Sequence, residues 1–409
     1  MAKKEIKQRE IKTVLCFTTY FKGVQFMKTC KEMGCKVILI TSKQLEHKDW
    51  PRESLDEIFY ISDDNENVNM ENVMKGIAYI KREHKFDIIV ALDDYDVERV
   101  AHIREEFRVP GMGQTTARHF RDKLAMRMQA KDNGILVPAF SDVFNNDTVR
   151  EFISKNPAPW VLKPRSAASA IGIKKITSPD QLWQVLDSLG DKRFQYLLEQ
   201  FVPGDVFHVD ALTNNDKVVF ARAHQYMNTP MEVAHEGGVF RSHTVVYNSE
   251  DDKALLAMNE EVLRVFGLRR GASHTEFIKA HADGKFYFLE TSARVGGANI
   301  VEMLEASSGM NLWSEWAKAE ILQDTYKLPK INKDYSGIIV SLAKQMHPDT
   351  TAYNDPEICW RMKMDMHAGL IVRSKKLDRI KELLNQYASR FYVDFFAKAP
   401  AREAPPNPA

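Results

Sequence analysis

The stretch His274 to Ile300, HTEFIKAHADGKFYFLETSARVGGANI, decides how this chain is read. Thr275–Ile278 and Phe286–Leu289 are short apolar runs that read as strands, and Asp283-Gly284 between them is a turn signal, so the segment is expected to be a β-hairpin. Glu276 and Glu290 then lie on neighbouring strands and face each other across the ladder. Like charges placed so are unfavourable unless a cation lies between them, and hard carboxylate oxygens suit Mg²⁺ or Mn²⁺. Ser292, Arg294, Gly296 and Gly297 follow directly, leading into a helical pattern from about Ile300. Glycines before a helix leave backbone N–H groups open to an anion, and Arg294 adds a planar fork for a carboxylate or phosphate. Taken alone, a hairpin with two glutamates is more often a solvated surface than a metal site; the neighbouring segments raise the metal reading.

Upstream, Leu197–Gly204 (LLEQFVPG) is a strand ending in a turn, and Phe207–Leu212 is the next strand. Such an extended edge offers an N–H and a C=O to a purine ring, with Asp205 and His208 in reach of a ribose. By itself His208 reads as an ordinary strand histidine. Trp160–Arg165 is a strand carrying Lys163 and Arg165 at its end, and it runs into Ser166–Gly172, small residues suited to a mobile lid over phosphates or to a flexible surface hairpin. Thr116–Ala130 reads as one basic helix containing Arg118, Arg121, Lys123 and Arg127, whose bland interpretation is a solvated face. Gly237-Gly238, amid Glu232, His235, Glu236, Arg241 and His243, reads as a polar loop with the look of a substrate loop.

Further out, Thr13–Phe17, Gly23–Met33 and Lys36–Thr41 make a βαβ unit, and Ile58–Ile61, Val68–Glu83 and Phe86–Ala91 repeat the order, which predicts a small parallel sheet. Its first turn, Thr18–Gly23, lacks the glycine spacing of a dinucleotide site, and Gly111-Met112-Gly113 does not follow a strand. Asp93, Asp94 and Asp96 stand at a strand's C-terminal end and read as a solvated loop. No GxxxxGK[ST] occurs, which excludes a P-loop. Beyond Leu322 come Ser336–Leu342 and Ala368–Val372 as strands and a one-sided helix through Leu377, Ile380, Leu383, Leu384 and Tyr387. The Pro/Ala-rich end from Ala399 reads as disordered.

Bulk properties exclude more than they assign. With 409 residues the expectation is two or three domains, and a net charge of +1 gives no nucleic-acid footprint. The four cysteines show no metal spacing and fit reduced thiols. No run approaches membrane-spanning length and no apolar leader follows the charged N-terminus, so a cytoplasmic protein without membrane association is expected.

In order along the chain, Arg121-Asp122-Lys123, the Leu-Lys-Pro strand at Lys163, the small-residue loop through Ser169 and Gly172, the Leu-Glu-Gln-Phe-Val-Pro-Gly hinge at Glu199, Thr-Glu-Phe at Glu276 and Glu-x-x-x-Arg from Glu290 to Arg294 resemble the ATP-grasp ligase superfamily. The likeness covers roughly residues 121–321. It implies an N-terminal parallel α/β domain (1–115), a two-subdomain α+β ATP-grasp core (116–325, with a lid at about 120–197), a small C-terminal α+β cap (326–398) and a tail (399–409). It also implies ATP and Mg²⁺ or Mn²⁺. By position, Lys123, Lys163, Arg165, Ser169 and Gly172 would hold phosphates, and Glu199, Gln200, Phe201 and Val202 the adenine edge. Asp205 or His208 would take the ribose, because the Glu common two places after the hinge glycine is Val206 here. Glu276, Glu290 and Ser292 would hold metal, Ser292 replacing the usual Asn. Arg294, Gly296 and Gly297 would hold the carboxylate being activated, with Arg294 and Lys163 acting in catalysis. Arg294-Val295-Gly296-Gly297 further resembles the branch that joins amino acids or similar acids to amines through an acyl phosphate. The resemblance leaves a homodimer open. An ATP-binding regulator without catalysis, suggested by Ser292 and Val206, and a ligase with a thiol or peptide acceptor remain alternatives.

Overall fold

The computed structural model describes residues 11–64, 67–167, 172–231, 233 and 238–398. Two compact units divide the chain: residues up to Gln114 joined by Trp316–Tyr326, and Thr115–Glu315 joined by the segment from Lys327 onward. The expected tail from residue 399 lies outside the described residues. Among those described, no helix is long and apolar enough to cross a membrane.

In the first unit β1 (Thr13–Thr18), α1 (Val24–Glu32), β2 (Lys36–Ser42), β3 (Glu57–Ile61), the short pair β4 (Asp63–Asp64) and β5 (Asn67–Val68), α2 (Met70–Ile80), β6 (Ile88–Ala91) and α3 (Val97–Glu106) follow in order. Four strands form a parallel sheet, β3-β2-β1-β6. The apolar runs Val14–Phe17 and Ile38–Ile40 are buried at its centre, as expected of a sheet covered on both faces.

The acidic triplet corrects the expectation of a solvated loop. Asp93, Asp94 and Asp96 are buried. Asp96 Oδ2 accepts from the Thr19 amide at 2.7 Å and its Oδ1 from Arg99 at 2.8 Å, while Asp93 pairs with Lys22 at 2.5 Å. Burial pushes the Asp96 carboxyl up to about 6. These carboxylates tie the turn after β1 to the end of β6, which an isolated reading of three acids cannot reveal.

Helices α4 (Gln114–Arg118), which enters the second unit at Thr115, and α5 (Lys123–Asp132) stand where one continuous helix was expected. Asp122 breaks it: its side chain caps α5 by accepting from the amides of Leu124 (3.0 Å) and Ala125 (3.4 Å), an N-cap geometry incompatible with helix interior. Arg121, Lys123 and Arg127 are buried rather than solvated. Next come β7 (Phe140–Asp142), α6 (Asn146–Lys155), β8 (Trp160–Pro164), β9 (Lys174–Ile176), α7 (Pro179–Leu189) and β10 (Tyr196–Gln200), which give an antiparallel sheet β7-β10-β8-β9. Trp160, Leu162, Leu198, Leu182 and Leu186 fill the layer between that sheet and its helices.

A larger antiparallel sheet is built from the eight strands β11 (Gly204–Asn214), β12 (Lys217–Tyr226), β13 (Phe240–Thr244), β14 (Gly271–Ala280), β15 (Phe286–Ser292), β16 (Tyr335–Leu342), β17 (Ile358–Arg361) and β18 (His367–Ser374), with α8 (Glu250–Phe266), α9 (Ile300–Ser308), α10 (Leu312–Leu322) and α11 (Leu377–Asp394) interspersed in the chain. Its order is β15-β14-β11-β12-β13-β16-β18-β17, so the C-terminal strands extend the sheet carrying the hairpin. Of the expected polar loop, Glu232, His235, Glu236 and Gly237 lie outside the described residues. Arg241 and His243 are corrected to strand positions on β13, where His243 is buried.

Helix α11 lays Leu377, Ile380, Leu383, Leu384, Tyr387 and Phe391 onto this sheet. Gly337 on β16 makes the close approach possible, since a Cβ there would stand 2.6 Å from Ile380 Cγ2 and 2.7 Å from Leu384 Cδ1. Gly337→Val is therefore expected to destabilise the protein by about 1–3 kcal/mol through overpacking, read as a lowered urea midpoint at unchanged slope.

Candidate active site

The expected hairpin is present. β14 and β15 pair antiparallel with Glu276 directly opposite Glu290, and the ladder shifts register just beyond, between Glu276 and Phe277. Two carboxylates opposite each other repel, and the structure answers each one differently. Lys123 Nζ lies 3.0 Å from Glu290 Oε2. On the other strand Tyr226 donates to Glu276 Oε1 at 2.9 Å, and His274 Nε2 lies 3.5 Å from the same oxygen.

Lys123 is the first residue of α5, placed by the Asp122 cap. Its amide donates to Arg165 O and its ammonium to Ala167 O at 2.6 Å, so it joins the helix start to the end of β8 and the loop beyond. Arg121 donates to Ser166 O on the same loop. Arg165 turns its guanidinium to Asp122, with Nε at 2.9 Å, and to Phe194 O, which assigns it to bracing α5. Ser169 lies outside the described residues, and Gly172 closes the loop with φ +69°, a conformation that favours glycine.

Glu199 on β10 is buried between two cations. Lys163 Nζ donates to its Oε2 at 2.6 Å, and Arg127 Nε lies 2.6 Å from its Oε1. The Arg127 contact is short but poorly aligned, and none of its guanidinium nitrogens makes a directional hydrogen bond; it is an ion pair held by charge, with Arg127 also lying over the Phe288 ring. Burial alone pushes the Glu199 carboxyl up, but Arg127 and Lys163 outweigh it and hold it below the usual carboxylate range. Burial pulls the Lys163 ammonium down to about 8 despite Glu199.

The rest of the hinge is partly committed. Gln200 donates its side-chain amide to Pro157 O at 2.8 Å, the Phe201 amide donates to Pro159 O, and Lys175 sits 4.1 Å over the Phe201 ring. Val202 borders an apolar patch made by Val206, Tyr226, Ile278, Phe240, Tyr287 and Leu289 on the large sheet. Asp205 is exposed, with His281 3.7 Å away. His208 is fully buried, its Nδ1 on Asp210 Oδ2 and its Nε2 on Ser242 Oγ, both at 2.8 Å, so its ring has no nitrogen left for a ribose. Arg294 points Nη1 at Val295 O, and its Nε is buried with no hydrogen-bond partner. Ala298 and Asn299 after Gly297 both have positive φ, 51° and 59°, a costly conformation for such residues that tends to cluster at functional loops.

Sequence reasoning missed the group behind Glu276. Asp210 Oδ1 accepts from His274 Nδ1 at 2.9 Å, and its Oδ2 faces His208 at 2.8 Å and His224 at 3.4 Å. Asp210 is held well below the usual carboxylate range: burial opposes this, but His274 and His208 win. His274 is raised to about 9 against its own burial by Asp210 and Glu276, while burial lowers His224 to about 3. His208, Asp210 and His274 have ligand atoms within 4.8 Å of one another. Each Nδ1 is nonetheless aimed at a carboxylate oxygen at hydrogen-bond distance, so protons rather than an ion fill this cluster. Strand periodicity carried a signal, since His274 precedes Glu276 by two residues and shares its face.

With this geometry in hand, the comparisons are specific. The model of the ATP-grasp domain matches residues 156–302. Over this stretch the chain is similar to ATP-grasp domains. The L-arginine-specific L-amino acid ligase of Bacillus subtilis is 26% identical over 275 residues, which cover 65% of this chain and 64% of that protein. A D-alanine–D-alanine ligase of Prosthecochloris aestuarii is 23% identical over 236 residues, covering 52% and 63%. The match thus spans less than two thirds of the length of these relatives. Among solved structures, an L-amino acid ligase from Bacillus licheniformis superposes with TM-score 0.73 at 15% identity, covering 95% of this chain and all of that one, a likeness of fold.

The buried triad yields a stability test. Arg127→Leu removes one partner and leaves Glu199 undercompensated, with an expected loss of about 3–5 kcal/mol in urea unfolding followed by circular dichroism.

Proposed function

We propose that this chain is an ATP-dependent carboxylate–amine ligase, which activates a carboxylate as an acyl phosphate, joins it to an amine and releases ADP and phosphate, with amino-acid-like substrates. The observation that carries this reading is the opposed pair Glu276 and Glu290, flanked by Lys123 and followed by the Arg294 loop. The nature of the relatives, amino acid ligases, supports the substrate class. A small-molecule acid and amine in the cytoplasm are the natural setting.

In this reading Lys123 and Lys163 exchange their glutamate partners for phosphate oxygens. Val202 and the hinge carbonyls from Glu199 to Phe201 meet the adenine edge against the apolar patch. Arg165 acts through Asp122, and the ribose falls to Asp205, the polar side chain left exposed beside the hinge. The opposed carboxylates fit a hard divalent ion, Mg²⁺ or Mn²⁺, held by Glu276 and Glu290 with the Ser292 hydroxyl as a third oxygen. When bound, such an ion neutralises charge on the phosphoryl group being transferred.

A carboxylate oxygen of the first substrate attacks the γ-phosphorus, the bond to the β-phosphate oxygen breaks, and ADP departs. The neutral amine then adds to the acyl carbon, the C–O bond to phosphate breaks from the tetrahedral intermediate, and the proton lost from nitrogen leaves with the phosphate. Positioning and charge carry both steps, which need no nucleophile from the protein and match a site rich in cations. Arg294, with the bare backbone of Gly296 and Gly297, orients the carboxylate and stabilises the oxyanion. Ser292 in the place of a stronger oxygen ligand supports a second reading, an ATP-binding regulator.

The deciding assay is ADP release with Mg²⁺, ATP and pools of amino acids and small acids, followed by mass spectrometry. Condensed product is expected, and Glu290→Ala or Lys163→Ala should lower turnover about 100-fold or more. Full turnover by the folded variants would sink the ligase, and silence from a wild type that binds ATP would favour the regulator. A pH test is independent of the acid and amine. Phosphate binding favours charged Lys163, whose ammonium is lost in the empty protein as pH rises through about 8. Nucleotide affinity should therefore be flat below that pH and weaken above it by at most about tenfold per pH unit, as one linked proton requires, and Lys163→Met should remove the break.

A further inference from the structure

The group behind Glu276 has no part in the chemistry just described, yet it is a buried polar assembly within the large sheet. Three neighbouring strands build it by register alone. On β11, His208 and Asp210 point to one face, and β14 places Glu276 opposite His208 and His274 opposite Asp210. On β12, His224 stands opposite His208. Asp210 is 1% exposed, and the three imidazoles that face it are buried.

Two contacts lead out of the assembly towards the candidate site. The first runs Asp210 Oδ1 to His274 Nδ1 at 2.9 Å, then from His274 Nε2 to Glu276 Oε1 at 3.5 Å, with the Tyr226 hydroxyl 3.4 Å from that ring nitrogen and 2.9 Å from the same glutamate oxygen. The second is made by the absence of a side chain. A Cβ at Gly296 would stand 2.8 Å from Asp210 Oδ1 and 3.0 Å from His274 Nδ1. The backbone two residues after Arg294 thus rests directly on the Asp210–His274 pair.

We infer that Asp210 and His274 are positioning residues, which hold Glu276 in the orientation that a divalent ion requires and set the height of the Arg294 loop through Gly296. The inference rests on Glu276 being a metal-binding residue, as proposed above. One oxygen of Glu276 is fixed by Tyr226 and His274, which leaves the other to turn towards Glu290. His274 holds that place because its second nitrogen is anchored on a carboxylate that cannot move, since His208 and His224 bracket it from the other side. A carboxylate tethered in this way loses little rotamer freedom when an ion arrives, whereas an untethered one pays that entropy on binding.

The test is Mn²⁺ binding to the full-length protein saturated with ADP, read from the electron paramagnetic resonance signal of free Mn²⁺, with no turnover required. Asp210→Asn and His274→Ala are expected to weaken Mn²⁺ binding about tenfold or more, with metal-free ADP affinity and near-ultraviolet circular dichroism unchanged. His274→Gln, whose amide reaches the place of Nε2, should regain part of the loss, and Tyr226→Phe should fall between it and wild type. A purely structural role would lower thermal stability and leave the Mn²⁺ titration where it was. Folded Asp210→Asn and His274→Ala proteins that bind Mn²⁺ as wild type does would overturn the inference, as would a wild-type ADP complex that binds none. Should Asp210→Asn fail to fold, His274→Gln and Tyr226→Phe decide in its place. If the variants weaken Mn²⁺ while wild type never condenses an acid with an amine, the positioning role stands and the ligase reading falls.

Discussion

The repulsion between Glu276 and Glu290 is the constraint around which the second unit is arranged. Two carboxylates on opposite residues of a ladder would splay or protonate without support. Lys123 supports one from the start of a helix, and Tyr226 with His274 supports the other from within the sheet. The helix break at Asp122 follows from the same need, because a continuous helix would have no capped first turn from which Lys123 could reach both Glu290 and Ala167 O.

Charge is balanced locally throughout. Glu199 is matched by Lys163 and Arg127, Glu290 by Lys123, and Asp210 by His274. Buried ions are expensive unless paired, and each of these pairs has at least one partner on a different secondary-structure element from the other or across a ladder. The pairs therefore hold elements in register as well as neutralising charge. In the proposed function a phosphate arriving at Lys123 and Lys163 would replace the carboxylates now paired with them.

Much of this was legible in the sequence, and the failures have physical causes. The hairpin, its opposed glutamates and the parallel N-terminal sheet followed from strand periodicity and turn residues, which act over a few neighbours. The helix break was missed because Asp122 in a basic helical pattern looks like an ordinary i,i+4 partner until its cap geometry is seen. The acidic triplet after β6 was read as solvated because its partners, Thr19, Lys22 and Arg99, are supplied partly from a turn some seventy residues away. For Arg165 and His208 motif position suggests ligand contact, and the folded chain engages both with its own carboxylates, Asp122 and Asp210. The Asp210 assembly was invisible because it needs the register of three strands at once, and only its His274-x-Glu276 arm is local.

The continuity of the large sheet sets a limit on modularity. β13 is five residues long and shares its hydrogen bonds between β12 and β16, with Phe240 against Val340 and Ser242 against Ile338. Removing the chain beyond Tyr326 would expose that edge and the apolar side on which α11 lies, inviting strand addition from another molecule. Ser242, the partner of His208, sits on the same five residues. A truncated or chimaeric protein must therefore reproduce the β13–β16 register to keep the candidate site's sheet intact, and the C-terminal segment is inherited with that sheet or not at all.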